Sequence, residues 1–133
     1  MKWVSSIVLS AVIAVSAGTA QAGLEEEQDI NQGLLVIAAA DKIRRACDSI
    51  GGRLFKARSY ANQLKDMAAD RGYSDDEIDA YINDKAEKAK MRERRNAYFK
   101  SKGASNLDAQ SLCVLGQAEI SQGTQIGQLL RAK

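Results

Sequence analysis

The sequence predicts an all-α protein: a small bundle of four to five short amphipathic helices, stapled by one disulfide and preceded by a cleavable signal peptide. Three observations predict it. The 133 residues contain no proline, and Ala, Leu, Lys, Glu and Gln are abundant, which favours helix throughout. No run of alternating β-branched residues reads as a strand. The only two cysteines, Cys47 and Cys113, have 65 residues between them, and each falls inside an apolar stripe of helical spacing.

Residues 1–22 read as a signal peptide. Lys2 supplies a minimal positive start, Ile7 to Val15 an apolar core, and Ala20-Gln21-Ala22 an A-x-A cleavage site. The apolar run is too short for a spanning helix, and no later stretch approaches that length. The mature chain, 23–133, is then a single helical domain of 111 residues, enough for one core and not two. It carries eighteen Lys and Arg against seventeen Asp and Glu, a net charge of +1. That balance gives no electrostatic case for a polyanionic partner. A periplasmic location follows from the leader.

The first helix is expected from Asn31 to Cys47, with Leu35, Ala39, Ile43, Ala46 and Cys47 on one face and Asp41, Arg44, Arg45 and Asp48 on the other. Ser49-Ile50-Gly51-Gly52 breaks it, because paired glycines cost helix stability and favour turns. A second helix follows from about Arg53 to Arg71, its stripe formed by Leu54, Ala57, Ala61, Leu64 and Ala68. Gly72 stands where a left-handed cap is expected.

Tyr73-Ser74-Asp75-Asp76-Glu77-Ile78 is a capping box with a hydrophobic staple, Ser74 meeting the amide of Glu77 and Tyr73 packing on Ile78. Asp75 and Asp76 add negative charge at the positive end of the helix dipole. The loop spacing and glycine of a calcium-binding hand are missing, so capping accounts for these carboxylates. Asp84 and Glu87 repeat the pattern, which predicts a break near Asn83-Asp84. The helix beyond it is the most basic segment, with Lys85, Lys88, Lys90, Arg92, Arg94, Arg95, Lys100 and Lys102 against Glu87 and Glu93. A solvated face explains such a run. The functional alternative is a partner surface centred on Lys88, Arg92, Arg94 and Arg95 for an acidic protein patch. Aromatic residues there are limited to Tyr98 and Phe99, and export argues against nucleic acid as a partner.

Gly103 ends the basic helix, and Asp108 or Ser111 can cap the next, which carries Leu112, Cys113, Leu115, Gly116 and Ile120. Gly123 stops it. Thr124 opens a last turn with Ile126, Leu129 and Leu130, too apolar to hang free, so it should dock on the core.

The chain has no histidine, which removes the usual general base, the commonest zinc ligand and the partner of serine and cysteine nucleophiles. Two distant cysteines without histidine do not make a standard structural zinc site. No phosphate-binding glycine loop, dinucleotide fingerprint or nucleophile elbow occurs. The sequence therefore reads as a non-enzyme, with no catalytic residues, no cofactor and no metal expected. The cysteines read as a structural disulfide, natural in an oxidising compartment and unlike the closely spaced redox pairs. Buried free thiols are the alternative.

Several segments together carry a resemblance. They are Ile43-Arg44 to Cys47-Asp48-Ser49-Ile50, Gly72 to Ile78, Asp84-Lys85-Ala86-Glu87-Lys88, Cys113 to Gly116, Ala118-Glu119-Ile120, and Gly123 to Arg131. The chain resembles small exported proteins of unknown function from alphaproteobacteria, often encoded among the genes for respiratory NADH:quinone oxidoreductase, complex I. The resemblance implies a neighbourhood and carries over no catalytic or binding residue. Two functions are expected from it and from the residues together. The first is a non-catalytic periplasmic interaction protein, an accessory or assembly factor of complex I with a protein partner at the periplasmic membrane face. The alternative is a periplasmic stress chaperone of the small, disulfide-bonded helical kind, whose fold loosens as carboxylates protonate near pH 4 and below.

Overall fold

The computed structural model describes residues 23–133; the segment 1–22, which the sequence reads as a signal peptide, lies outside the described residues. A single 3-10 turn, Leu24–Glu26, leads into α1 (Gln28–Ala46), β1 (Ile50–Gly52), α2 (Leu54–Asp70), α3 (Asp75–Asn83), α4 (Lys85–Ser101), α5 (Ala109–Gln122), α6 (Gln125–Gln128) and β2 (Leu130–Ala132). The all-α bundle with one disulfide is what the sequence predicts, with six helices in place of four to five. The basic segment is separated at Asp84 as expected, and α6 is the last turn expected after Thr124.

α1 is the axis. Its run Leu34 to Ala40 is apolar without interruption, so more than one face of the helix seeks cover. Val36, Ala39, Ala40 and Ile43 are buried against Phe99 of α4, Leu112 and Leu115 of α5, and Ile126 of α6. Cys47, just past the end of α1, joins Cys113 on α5 with Cα atoms 5.2 Å apart. At Gly116 an added Cβ would stand 2.4 Å from Ile50 and 2.7 Å from Ile43, so the missing side chain lets β1 and α1 settle on α5.

The caps explain where the helices begin. Ser74 accepts a hydrogen bond from the Glu77 amide at 3.1 Å, Asp84 from the Glu87 amide at 2.9 Å, Asp108 from the Ser111 amide at 3.3 Å and Thr124 from the Gly127 amide at 3.0 Å. Tyr73 and Ile78 are buried in one cluster, as the staple requires. α5 ends at Gly123, whose φ of +64° is the left-handed cap position. The chain then turns so tightly onto α5 that a Cβ on Gly127 would lie 1.9 Å from the Glu119 carbonyl oxygen.

Two features correct the sequence expectation. The segment read only as a helix break contains β1, which pairs antiparallel with β2 in the register Ile50 to Ala132, Gly51 to Arg131 and Gly52 to Leu130. Arg53 reinforces the join, its amide donating to the Leu129 carbonyl at 2.8 Å and its Nε to the Leu130 carbonyl at 3.0 Å. Three-residue strands holding two glycines leave no alternation to read, and the partner lies some eighty residues away. The tail does dock, as its apolar residues demand: Ile126, Leu129 and Leu130 are buried. The second correction concerns α2, where only Leu64 and Ala68 are buried while Leu54 remains 67% exposed. The front end of that stripe, at Leu54, lines an open groove, while Ala57 is half-buried against the core.

The N-terminal end is tied by a polar knot. Buried Asn31 donates to the carbonyls of Leu24 and Glu27, each at 2.9 Å, and accepts from Tyr81 Oη at 2.5 Å. Arg71, at the end of α2, grips Asp29 with two hydrogen bonds of 2.8 and 2.5 Å and also reaches Glu27. That grip holds the Asp29 carboxyl down at about 2 and raises the already basic Arg71.

Candidate functional site

The basic helix is the place to look, because its residues are not absorbed by the core. Of the seventeen residues of α4, only Phe99 is buried. Phe99 anchors the helix in the core, and Tyr98 adds a second attachment by donating its hydroxyl to Glu119. Thr124 Oγ1 donates to the other oxygen of the same carboxylate. Glu119 is 3% exposed, so this cluster joins α4, α5 and the start of α6 around one buried carboxylate. Burial, and then the hydrogen bond to Glu119, push the Tyr98 phenol upward, which keeps it a donor across physiological pH.

The four cations singled out from the sequence do not share one surface. Lys88, Arg92 and Arg94 are exposed. Lys88 lines a depression with Leu34, Ile37 and Met91, and at helical spacing Arg92 and Arg95 extend its side of α4. Arg94 lies on the other side, lining a shallow polar hollow with Glu25, Gln32 and Leu35. Arg95 corrects the sequence reading, which takes it as exposed. It is half-buried, with its guanidinium 6.0 Å from the Phe99 ring centroid and its Nε 3.2 Å from Asn96 Oδ1. Burial and the neighbouring charges of Arg45 and Arg92 lower its pKa. Lys90 forms a 2.9 Å ion pair with Glu87 one turn before it.

Cys47 and Cys113 are the disulfide that the sequence proposes. It ties α1 to α5 and offers no reactive thiol. Among the described residues, no group of three or more His, Cys, Asp or Glu could hold a metal ion. Nor does any described helix have the length and apolar character to cross a membrane.

The feature that sequence reasoning misses is an apolar groove on the second side of α1. α2 and α4 both pack on α1 and scarcely touch each other, so the stripe Leu34, Ile37, Ala38 and Asp41 lies half-buried between them. Three depressions adjoin along it. One of about 220 Å³ lies toward α4, one of about 250 Å³ toward α2 and α3, and one of about 210 Å³ near Leu54 and Leu129. Tyr81 and Ile82 of α3 form the wall shared by the first two. The signal was present in the sequence as the unbroken apolar run Leu34 to Ala40, which is wider than one face of a helix needs.

The architecture is that of a small helical domain, closed by a disulfide, with a hydrophobic groove and a basic flank. The chain belongs to a family of unknown function, DUF5333, whose model matches residues 22–131. No curated protein and no solved structure matches it.

Proposed function

We propose that this chain is an exported, non-catalytic interaction protein that docks on an acidic segment of a protein partner at the periplasmic face of a membrane respiratory assembly. Complex I is the first place to look, because the resemblance of the chain to exported proteins encoded beside that enzyme points there. The observation that supports a docking role is the construction of α4. A seventeen-residue helix is mounted on the domain by Phe99 and Tyr98 while Lys88, Arg92 and Arg94 stay exposed. Cations held on a rigid scaffold give orientation and on-rate toward an acidic partner.

The test is recovery of partners from solubilised membranes by the tagged wild type and by Arg92→Glu/Arg94→Glu, which spares half-buried Arg95. Complex I subunits should accompany the wild type and be depleted with the variant, and deleting the gene should lower assembled complex I. Unchanged complex I abundance and activity on deletion, with no subunit recovered, would overturn the reading.

The chaperone alternative draws support from one place, the Arg71 knot. Its carboxylates, Glu27 and Asp29, join the start of α1 to the end of α2, so acid strong enough to protonate Asp29 would untie that end. A holdase assay at pH 2–3, in the range where carboxylates protonate, separates the two readings: protection of a denatured client only at acid pH belongs to the chaperone.

A further inference from the structure

We infer that the groove between α2 and α4 receives one amphipathic α-helix of a partner protein, apolar on one face and acidic along its flanks. The inference rests on the proposed interaction role and specifies its site and ligand chemistry. The floor is the second stripe of α1, from Leu34 to Arg44, eleven residues or about 16 Å of helix, which matches roughly three turns of an incoming helix. A groove floored by one helix and walled by two others presents apolar ridges at the spacing that an i, i+3, i+4, i+7 stripe fills. Ile82, at 45% exposed, and Leu54, at 67%, stand along it uncovered.

Charge decides which helix fits. The α4 rim carries Lys88, with Arg92 and Arg95 at helical spacing beyond it, and the α2 rim carries Lys65. The groove's own acids are already engaged: Asp41 by Arg44 and Arg45, Glu87 by Lys90. Only Asp79 adds a further negative charge to the lining, so the rim favours carboxylates on the occupant. A second copy of this chain is a poor source of such a helix. Its acidic helix, α3, already commits Ile78 and Tyr81 to its own domain. A concave floor between two helices is also out of reach of a flat lipid surface, which leaves a partner's helix.

The probe is a labelled synthetic helix of about fifteen residues with leucines on one face and glutamates on both flanks, titrated with the mature protein and followed by fluorescence anisotropy. Saturable binding is expected for this peptide, with roughly tenfold weaker binding when lysines replace the glutamates, the size that a few rim ion pairs amount to. A scrambled peptide of the same composition should not bind. Ile82→Glu, on the wall, and Lys88→Glu/Arg92→Glu, on the rim, should each weaken the glutamate peptide by roughly tenfold or more while circular dichroism melting stays that of the wild type. The second variant uses exposed side chains, so a folding failure of the first leaves the test intact. Equal binding of the lysine or scrambled peptide overturns the inference, as does indifference to both variants. Two other occupants would also overturn it: a dimer in sedimentation, or binding to phosphatidylglycerol vesicles, that Ile82→Glu abolishes. Recovery of complex I subunits that survives Ile82→Glu leaves the partner reading standing and removes the groove. Peptide binding as expected without any complex I subunit keeps the groove and removes that partner.

Discussion

On one side of α1, Ala39, Ile43 and the adjoining Cys47 are sealed by α5, α6 and the paired strands; on the other, Leu34, Ile37 and Ala38 lie half-covered between two helices that scarcely meet. The sealed side uses every device that brings elements close. A disulfide joins α1 to α5, Gly116 removes the side chain where β1 and α1 press on α5, and Gly127 lets α6 lie on the Glu119 carbonyl. The open side has one close approach, at Gly33, where an added Cβ would stand 2.4 Å from Leu64 of α2, and is otherwise held toward the helix ends: α4 by Phe99 and Tyr98, and the far end of α2 by Arg71. The difference teaches that this domain concentrates its stability on one face of its central helix and keeps the other available.

The largest effect should come from cutting the staple on the sealed side. In the chain-entropy model, closing a loop of this length stabilises the fold by about 4 kcal/mol, against a typical total of about 5–15 kcal/mol. Cys47→Ser with Cys113→Ser should therefore lower the midpoint of thermal unfolding steeply, or leave the domain unfolded at 37 °C, as measured by circular dichroism. A double variant that melts with the wild type would show that packing alone closes this side.

Ile43→Ala should come next. Ile43 is fully buried beneath α5, and removing such a side chain costs about 2–5 kcal/mol through lost burial and the cavity left behind. Denaturant titration should find the midpoint shifted and the slope unchanged.

Glu119→Gln tests the polar joint between the two sides, since Glu119 ties Tyr98 of the open-side helix α4 to α5 and to Thr124. The amide can accept one hydroxyl and must present its donors to the other, so one charge-assisted bond is lost, about 1–2 kcal/mol. Glu119→Leu should cost more, because both hydroxyls then lose their acceptor. Amide hydrogen exchange should rise in α4 before it rises in α1.

Acid should loosen the open side's N-terminal tie. The folded Asp29 carboxyl titrates at about 2, below its ordinary 3.8, because Arg71 holds it ionised. A depressed carboxyl contributes stability above its unfolded value, and that contribution is lost as pH falls from about 4 toward 2. The pair is exposed, so the loss should be small and screened by salt. Asp29→Asn should flatten this part of the pH–stability curve and leave the curve above pH 5 unchanged. An identical acid limb in the variant would remove Asp29 from the account.

What the sequence made legible follows the range of the interactions. The boxes at Ser74–Glu77 and Asp84–Glu87 act within one turn, and both caps form at the residues expected. The disulfide was legible from two cysteines on apolar stripes in a chain with an apparent leader. The strands were not, because Ile50–Gly52 acquires its partner only when the far end of the chain returns. Glu119 was overlooked although it falls at helical spacing after Leu112 and Leu115, on the buried face of α5. A lone acid at such a position reads as solvated until Tyr98 is brought to it by tertiary packing. The groove was half legible: the apolar run of α1 announces two faces to cover, but only the separation of α2 from α4 shows that the second stays open.

The smallest effect on stability is expected from Ile82→Ala, the same kind of truncation as Ile43→Ala carried out on the open side. Ile82 is 45% exposed on the groove wall, so about half of its apolar surface already meets water and the remainder can be refilled by solvent without a sealed cavity. The cost should be under about 1 kcal/mol, below the low end of the range for buried isoleucine. The two isoleucines thus give a ratio that measures how differently the two sides are built. If Ile82→Ala destabilises as much as Ile43→Ala, the open side contributes to the core after all, and the groove is ordinary packing. If its stability is nearly that of the wild type while it binds the glutamate-flanked helix more weakly, the side chain is kept exposed for contact with a partner, at little cost to the fold.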